Sequence, residues 1–438
     1  MTDNIGGAMA DSKYEWDLSL LYKSESDRQD DLQKFHKLAE EIKSLEGKLN
    51  NKQSIVKYLK KSEDLMRVLS RLNLFAMMKI DKNSRVAKSL KQGDEITNLI
   101  TRYSVDTAFV QPELAKNSDE FLLELQRDPE LKDYARFFES IIREKKHTIS
   151  KEKEALMAGM MSFTDFREIF DKLADVEIKF EDITTKTGER LALNNATYGL
   201  YSKSEDAEIR RQAHKNLHEG YSKFNLTLSD TYLSYLKKSG FVSKTYNFPS
   251  TFDKALFREE VSKSIYDKLI ENVHKFLPLY QEYYKAKANA IGKKDFLISD
   301  VYAPVGDGSR LNLDYDDAVK VVLDMVKVLG PEYYDVSSKA FSSRWVDVFP
   351  SEGKRGGAYS VSAQTGNPFM LLNHNKTYAS LSTIAHELGH SLHSYFSEKN
   401  QPYYTQDYVI FVAEVASTVN EVLLAKKLMR ETNNIEEK

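Results

Sequence analysis

Apolar positions three and four residues apart recur through most of the chain, interleaved with Lys, Glu and Asp. Residues 24–48, 53–80, 84–106, 118–145 and 150–174 each carry this spacing, which predicts amphipathic helices. Asn50-Asn51 and Gln111-Pro112 read as breaks between them. The period changes at Val176, Ile178 and Phe180, which alternate with Glu177, Lys179 and Glu181. That alternation predicts a strand, and the segment to about Tyr201 reads as a hairpin or loop module between two helical regions. Ser202 with Glu205 reads as a capping box opening the next helix. Helices continue to about Ala290, and Ile291-Gly292-Lys293-Lys294 breaks them.

Residues 295–313 are loop-rich, with Pro304, Gly306 and Gly308. Ala318, Val321, Val322, Met325, Val328 and Leu329 then predict the buried stripe of a helix that Gly330-Pro331 stops. Tyr359, Val361 and Ala363 alternate with Ser360 and Ser362, and Phe369-Met370-Leu371-Leu372 is a short apolar run. Two strands joined by a turn follow from that pattern. The next helix spans about 377–397, with Leu381, Ala385, Leu388, Leu392 and Tyr395 as its core stripe. Pro402 breaks the chain, and a further helix starts near Gln406 with Phe411, Val415, Val419 and Val422 as its buried stripe. The expected fold is mainly α and multi-helical, with a small β-sheet beside helix 377–397. Three regions are expected: an N-terminal helical region at 1–110, a second helical unit ending in the strand or loop module at 111–201, and a C-terminal domain at 202–438.

At 438 residues the chain exceeds what one simple core supports. Its 63 basic and 66 acidic residues give a net charge of −3, without the basic excess of a nucleic-acid binder. There is no cysteine, so there is no disulfide frame and no thiolate metal site; a metal would be held by His, Asp or Glu. No apolar run approaches the roughly 18 residues of a membrane span. The polar start, MTDNIGGAMADSKYEWDL, lacks the apolar stretch of a secretory signal. These features predict a cytoplasmic location.

Helix 377–397 contains His386-Glu387-Leu388-Gly389-His390. Positions i and i+4 share a helix face, so both imidazoles can reach one metal ion. Glu387 lies beside them, where it can take a proton from a water on that metal. All three fall outside the core stripe. The reading is a hydrolase with one Zn2+ per chain. A catalytic zinc usually has a third protein ligand and an open position. A three-histidine pattern would need Gly at 393 and His at 396, but His393 and Phe396 stand there. A Glu on the following helix is the alternative. Glu414 is the choice for third ligand, and Glu421, two turns further, for an acceptor that orients a ligating imidazole. His393 reads as a packing or supporting residue, and His374 as a turn residue.

Gly356-Gly357-Ala358-Tyr359, Leu372-Asn373-His374-Asn375, the run Thr383 to Ser391, and Phe411 to Ser417 make the C-terminal portion resemble oligoendopeptidase F, a relative of thimet oligopeptidase and neurolysin. Trp16-Asp17-Leu18, Arg143-Glu144-Lys145-Lys146-His147 and Asp300-Val301-Tyr302-Ala303-Pro304 extend the resemblance over nearly the whole chain. The resemblance implies a zincin-type metalloendopeptidase: a clam-like helical body around a deep channel that admits short, flexible oligopeptides. It implies zinc on His386, His390 and Glu414, with Glu387 as general base. It also implies that the strand near Phe369–Asn373 pairs with substrate backbone. Region 202–438 would then be a zinc peptidase catalytic domain. The family continues beyond the position of Lys438, and there supplies channel wall and the Tyr and His donors that stabilise the oxyanion. The chain therefore reads as a C-terminally incomplete fragment, with low turnover and with surfaces that favour self-association. A non-catalytic zinc-binding helical scaffold is the alternative, and a zinc hydrolase of non-peptide substrates a third reading.

Overall fold

The computed structural model describes residues 12–161, 166–305, 311–364 and 366–432. The chain groups into two compact units, Met1–Ser162 with Arg310–Glu431, and Phe163–Ser309 with Thr432–Lys438.

The first unit opens with three long helices, α1 (Glu25–Lys43), α2 (Lys52–Lys82) and α3 (Ala87–Asp106). Ser24 and Asp27 form a reciprocal capping box on α1, and Asn51 caps α2, so the Asn50-Asn51 break is a helix start. Their apolar faces meet through Phe35, Ile42, Leu65, Leu72 and Ile96. Gln111-Pro112 is not a break: both residues lie in the short helix α4 (Val110–Ala115). Pro112 stands in its first turn, where a missing N–H has no intrahelical partner to lose. The expected helix 118–145 is two, α5 (Asp119–Arg127) and α6 (Ala135–Glu144). Asp128 and Pro129 interrupt them by starting a 3-10 turn, Pro129–Tyr134. α7 (Lys151–Met161) covers the first part of the expected helix 150–174, and 162–165 lie outside the described residues.

In the second unit α8 (Phe166–Lys172) runs into a π-turn, Leu173–Glu177. The strand expected at 176–180 is absent. Val176 is exposed in the π-turn, Ile178 is buried, and the Phe180 ring packs where Gly220 leaves room. The alternation there reflects one extended segment lying on a helix, not a ladder. The hairpin forms a few residues later, where β1 (Ile183–Thr184) pairs antiparallel with β2 (Arg190–Leu191). Helices α9 (Asn195–Tyr201), α10 (Ala207–Ser222), α11 (Asn225–Thr245), α12 (Thr251–Glu259) and α13 (Lys263–Ala290) follow. Ser202 closes α9 instead of opening a helix, and Asp206 caps α10. The Arg210 guanidinium bonds the carbonyls of Ser204 and Glu205 and the carboxylate of buried Asp300, which holds 204–205 as loop. The buried core of this unit is small, centred on Ile183, Leu193 and Ala213. Much of α11 and α13 is apolar yet open to solvent, including Leu226, Phe276 and Leu279.

The chain returns to the first unit with α14 (Tyr315–Val326), which buries Tyr315, Ala318, Val322 and Met325. Of the expected loop 295–313, residues 306–310 lie outside the described residues. Val328 and Leu329 are exposed, against expectation. The helix tightens to a 3-10 turn at Lys327–Leu329, and three residues per turn carry these two out of phase with the stripe. Gly330, at φ +98°, ends the turn, and Pro331 opens α15 (Pro331–Ser342) at its first position.

A three-stranded sheet follows: β3 (Val346–Asp347), β4 (Tyr359–Val361) and β5 (Phe369–Leu371), in the order β3-β5-β4. β5 runs parallel to β3 and antiparallel to β4. Side chains alternate across a strand, so Phe369 and Leu371 join the α1–α3 core while Met370 and Leu372 join the core around α14 and α15. A strand buried on both faces explains the unbroken apolar run. Trp16 ties the N-terminal segment to this strand, donating from Nε1 to Met370 O at 2.7 Å. α16 (Tyr378–Asn400) and α17 (Ile410–Glu431) complete the unit. No helix among the described residues is long and apolar enough to cross a membrane.

Candidate metal centre

α16 starts where the Thr377 side chain accepts from Ser380 N. Leu381, Ile384, Ala385, Leu388 and Leu392 bury one side completely. His386 and His390 project from another side, partly exposed. α17 lies against α16 at very short range. A Cβ on Gly389 would stand 2.6 Å from Ser417 Cα and 2.8 Å from Ala416 O, so only glycine fits that crossing. Buried Asn420 crosses the same interface, donating from Nδ2 to Ala385 O at 3.0 Å.

That crossing reverses the expectation for α17. Phe411, Val415, Val419 and Val422 are 60, 59, 45 and 53% exposed, while Ser417, Asn420 and Leu424 are buried. The helix also starts at Ile410, after a 3-10 turn at Tyr403–Thr405, rather than near Gln406. Small polar side chains allow the backbones to approach and take up the contact face, which turns the apolar stripe away.

The crossing brings the three expected ligands together. His386 Nε2 and His390 Nε2 are 3.1 Å apart, and Glu414 Oε2 lies 3.4 Å from each. Donors about 2.0–2.2 Å from a tetrahedral ion sit roughly 3.3 Å from one another, so the spacing suits one small cation. Two imidazoles and a carboxylate are a donor set that zinc accepts. It is the one cluster of three such groups found among the described residues.

The supporting contacts are built in. Glu421 Oε1 accepts from His386 Nδ1–H, which leaves Nε2 free for a metal. Ser417, which the sequence reading did not single out, donates to Glu414 Oε2 at 2.8 Å. That bond, with the nearby histidines, holds the Glu414 carboxyl below its usual range. Burial pushes the His390 imidazole down, favouring the neutral form that binds metal. His393 stands apart from the cluster; its ring stacks on Tyr408 at 3.8 Å between centroids. His374, expected in a turn, is buried in the irregular segment between β5 and α16, and its Nε2 meets Leu313 O at 3.0 Å. It lines a cavity of about 230 Å³ with Ala379 and Thr383, which continue the helix face of His386 and His390.

Glu387 differs from expectation by being buried, at 6% exposure. Its Oε2 has no hydrogen-bond partner. Ser391, one turn on, pairs with Ser360 of β4 at 2.8 Å, so this side of α16 faces the sheet. Burial pushes the Glu387 carboxyl up to about 7; Glu414 adds to the rise and His386 opposes it. β5 is the central strand, with both edges taken by β3 and β4, so it cannot add a substrate strand as expected. Among the described residues β4 pairs only with β5, which leaves its outer edge free.

The sequence model of peptidase family M3 matches residues 200–438, and that of oligopeptidase F matches residues 113–180. An oligoendopeptidase F homolog of Borreliella burgdorferi is 33% identical over 427 residues, covering 96% of this chain and 72% of the relative. The group B oligopeptidase PepB of Streptococcus agalactiae is 32% identical, covering 99% of this chain and 72% of the relative. A peptidase crystal structure from Chlamydophila abortus superposes with a TM-score of 0.77 at 30% identity, over 98% of this chain and 73% of that one. An oligoendopeptidase F structure from Enterococcus faecium shares the fold, with a TM-score of 0.65 at 23% identity over 93% of this chain and 68% of that one. With three groups that could hold a metal ion on a mainly α frame, the chain belongs to peptidase family M3, among the oligoendopeptidase F metallopeptidases.

Proposed function

We propose that this chain is a zinc endopeptidase acting on short oligopeptides, with His386, His390 and Glu414 as ligands and Glu387 as the proton-transfer group. The observation that carries the reading is a buried, unpaired carboxyl one residue from the first of three convergent metal donors. Zinc at such a site lowers the pKa of its water and polarises the scissile carbonyl. Glu387 takes the proton of the attacking water and later delivers it to the leaving amine. A carboxyl pushed up to about 7 by burial suits a group that must do both. Ser417 fixes the carboxylate of Glu414 and Glu421 the ring of His386, so the donors are oriented before a metal arrives. The free edge of β4, Tyr359–Val361, is the place for an extended peptide to add as a strand across the face that Glu387 shares.

A quenched fluorescent oligopeptide tests the assignment on zinc-loaded protein. Glu387→Gln should lower kcat by about 10²–10⁴ while zinc stays at one per chain. Cleavage at the parental rate would remove Glu387 from the role. One zinc per chain with no turnover in the parent protein would favour the scaffold reading instead.

A further inference from the structure

The cavity of about 230 Å³ lies where the chain entering β4, the chain leaving β5 and the first turns of α16 meet. Gly357 and Ala358 immediately precede β4, Asn373 follows β5, and Ala379 and Thr383 stand on the helix. Thr383 is three residues before His386 and Ala379 seven, so the helical part of the wall lies about 4.5 to 10.5 Å before that ligand along the axis. An extended peptide advances about 3.3 Å per residue and turns alternate side chains the same way. A peptide on the free edge of β4, with its cleaved bond at the metal, therefore sets one side chain over this cavity, within about three residues of that bond.

The size and the wall say which side chain fits. An apolar cavity of about 150 Å³ takes a benzene-sized group, so this one has the scale of a single side chain, below that of a whole-ligand site. The space is open because small residues line it: Gly357, Ala358, Ala379 and Ser380. Among the described residues, no Lys, Arg, Asp or Glu contributes to the wall. Its hydroxyl protons are committed to the backbone: Ser380 Oγ donates to Thr377 O and Thr383 Oγ1 to Ala379 O, each at 2.9 Å. Asn373 donates both amide protons, to Arg355 O at 3.0 Å and Gly357 O at 2.8 Å, which also ties the end of β5 to the turn before β4. A charge entering here finds no partner, and an unpaired charge taken out of water is costly.

We propose that this pocket sets the sequence preference of cleavage by taking an uncharged, Leu- or Phe-sized side chain near the cleaved bond, on the reading that β4 receives the peptide and the three donors the metal. Ala379 and Thr383 are its specificity-determining residues. Ala379 is exposed and stands in the first turn of α16. A carboxylate in a first turn favours the helix, so a charge can be placed in the wall there with the helix kept.

Binding to zinc-loaded Glu387→Gln protein tests the pocket without turnover. The probes are acetylated heptapeptides, glycine at every position except a central Ala, Leu, Lys or Asp, titrated by calorimetry. The Leu peptide should bind at least tenfold tighter than the Lys or Asp peptide. Adding Ala379→Asp should shift the Leu-to-Lys ratio at least tenfold towards Lys. Adding Thr383→Leu, which fills the pocket, should weaken the Leu peptide at least tenfold and leave the Ala peptide unchanged. Circular dichroism and zinc content confirm folded, loaded protein in each case. An unchanged Leu-to-Lys ratio in folded Ala379→Asp protein would overturn the proposal, as would the absence of binding by every peptide. Incubating the same peptides with the parent protein separates the two readings. Turnover without selectivity between Leu and Lys would remove the pocket and keep the endopeptidase; selective binding with no turnover would keep the pocket and count against the catalytic reading.

Discussion

Removing the charge of Glu387 should stabilise the metal-free protein, and the gain should depend on pH in a way the burial of this carboxyl dictates. The ordinary value of 4.5 rises to about 7 in the folded chain because burial penalises the anion. The folded state thus holds the proton more tightly than the unfolded one. The sign follows from linkage: stability is greatest while Glu387 is protonated in both states, falls as pH rises from 4.5 towards 7, and is level above. The gap corresponds to about 3 kcal/mol in full. Glutamine in its place has no proton to lose, so the advantage of Glu387→Gln over the parent should grow by about 2–3 kcal/mol between pH 5 and pH 8. Urea unfolding in EDTA measures it. The two tryptophans, Trp16 and Trp345, are both buried in the unit that carries Glu387, so their fluorescence reports on that unit. An advantage that stays the same at pH 5 and pH 8 would refute the claim that this carboxyl is held away from water.

Three further outcomes follow from the helix crossing and the surface. Gly389→Ala places a methyl 2.6 Å from Ser417 Cα, so the helices must part; a destabilisation of about 1–3 kcal/mol is expected, with weaker zinc binding because Glu414 moves away from the histidines, and unchanged zinc affinity would contradict it. Glu421→Gln removes the carboxylate on His386 and should cost about 10–100-fold in zinc affinity, measured by competition with a chromogenic chelator; no loss would show the contact idle. The apolar residues open on α13 should make the protein self-associate, and sedimentation velocity should find less association in Leu269→Gln with Phe276→Gln than in the parent.

The pentapeptide and its helix were legible because the i, i+4 spacing, the Thr377 cap and the Leu381–Leu392 stripe are all local features. The strand Phe369–Leu371 was legible as an apolar run, but its central place in the sheet depends on β3, only two residues long and without a periodic signal. The rotation of α17 was misread for a different reason. Apolar periodicity finds the face that hydrophobic packing would bury, whereas Gly389, Ser417 and Asn420 join these helices through close backbone approach and a polar bond. A small residue in the motif helix facing small polar residues three apart was the available signal. Burial of Glu387 depends on the non-local Ser360–Ser391 contact, which neither helix spacing nor motif spacing contains. The strand expected at 176–180 failed because alternation records which side chains are covered, not whether a partner strand covers them.

Zinc stoichiometry across single-site variants bears most directly on the account. Chelator-stripped proteins would be dialysed against micromolar zinc, and metal per chain read by plasma emission spectrometry, with folding confirmed by circular dichroism. The account predicts one zinc in the parent and in Glu387→Gln, and well under one in His386→Ala, His390→Ala and Glu414→Ala. A full zinc in Glu414→Ala, or its loss in Glu387→Gln, would contradict the assignment of ligands and base.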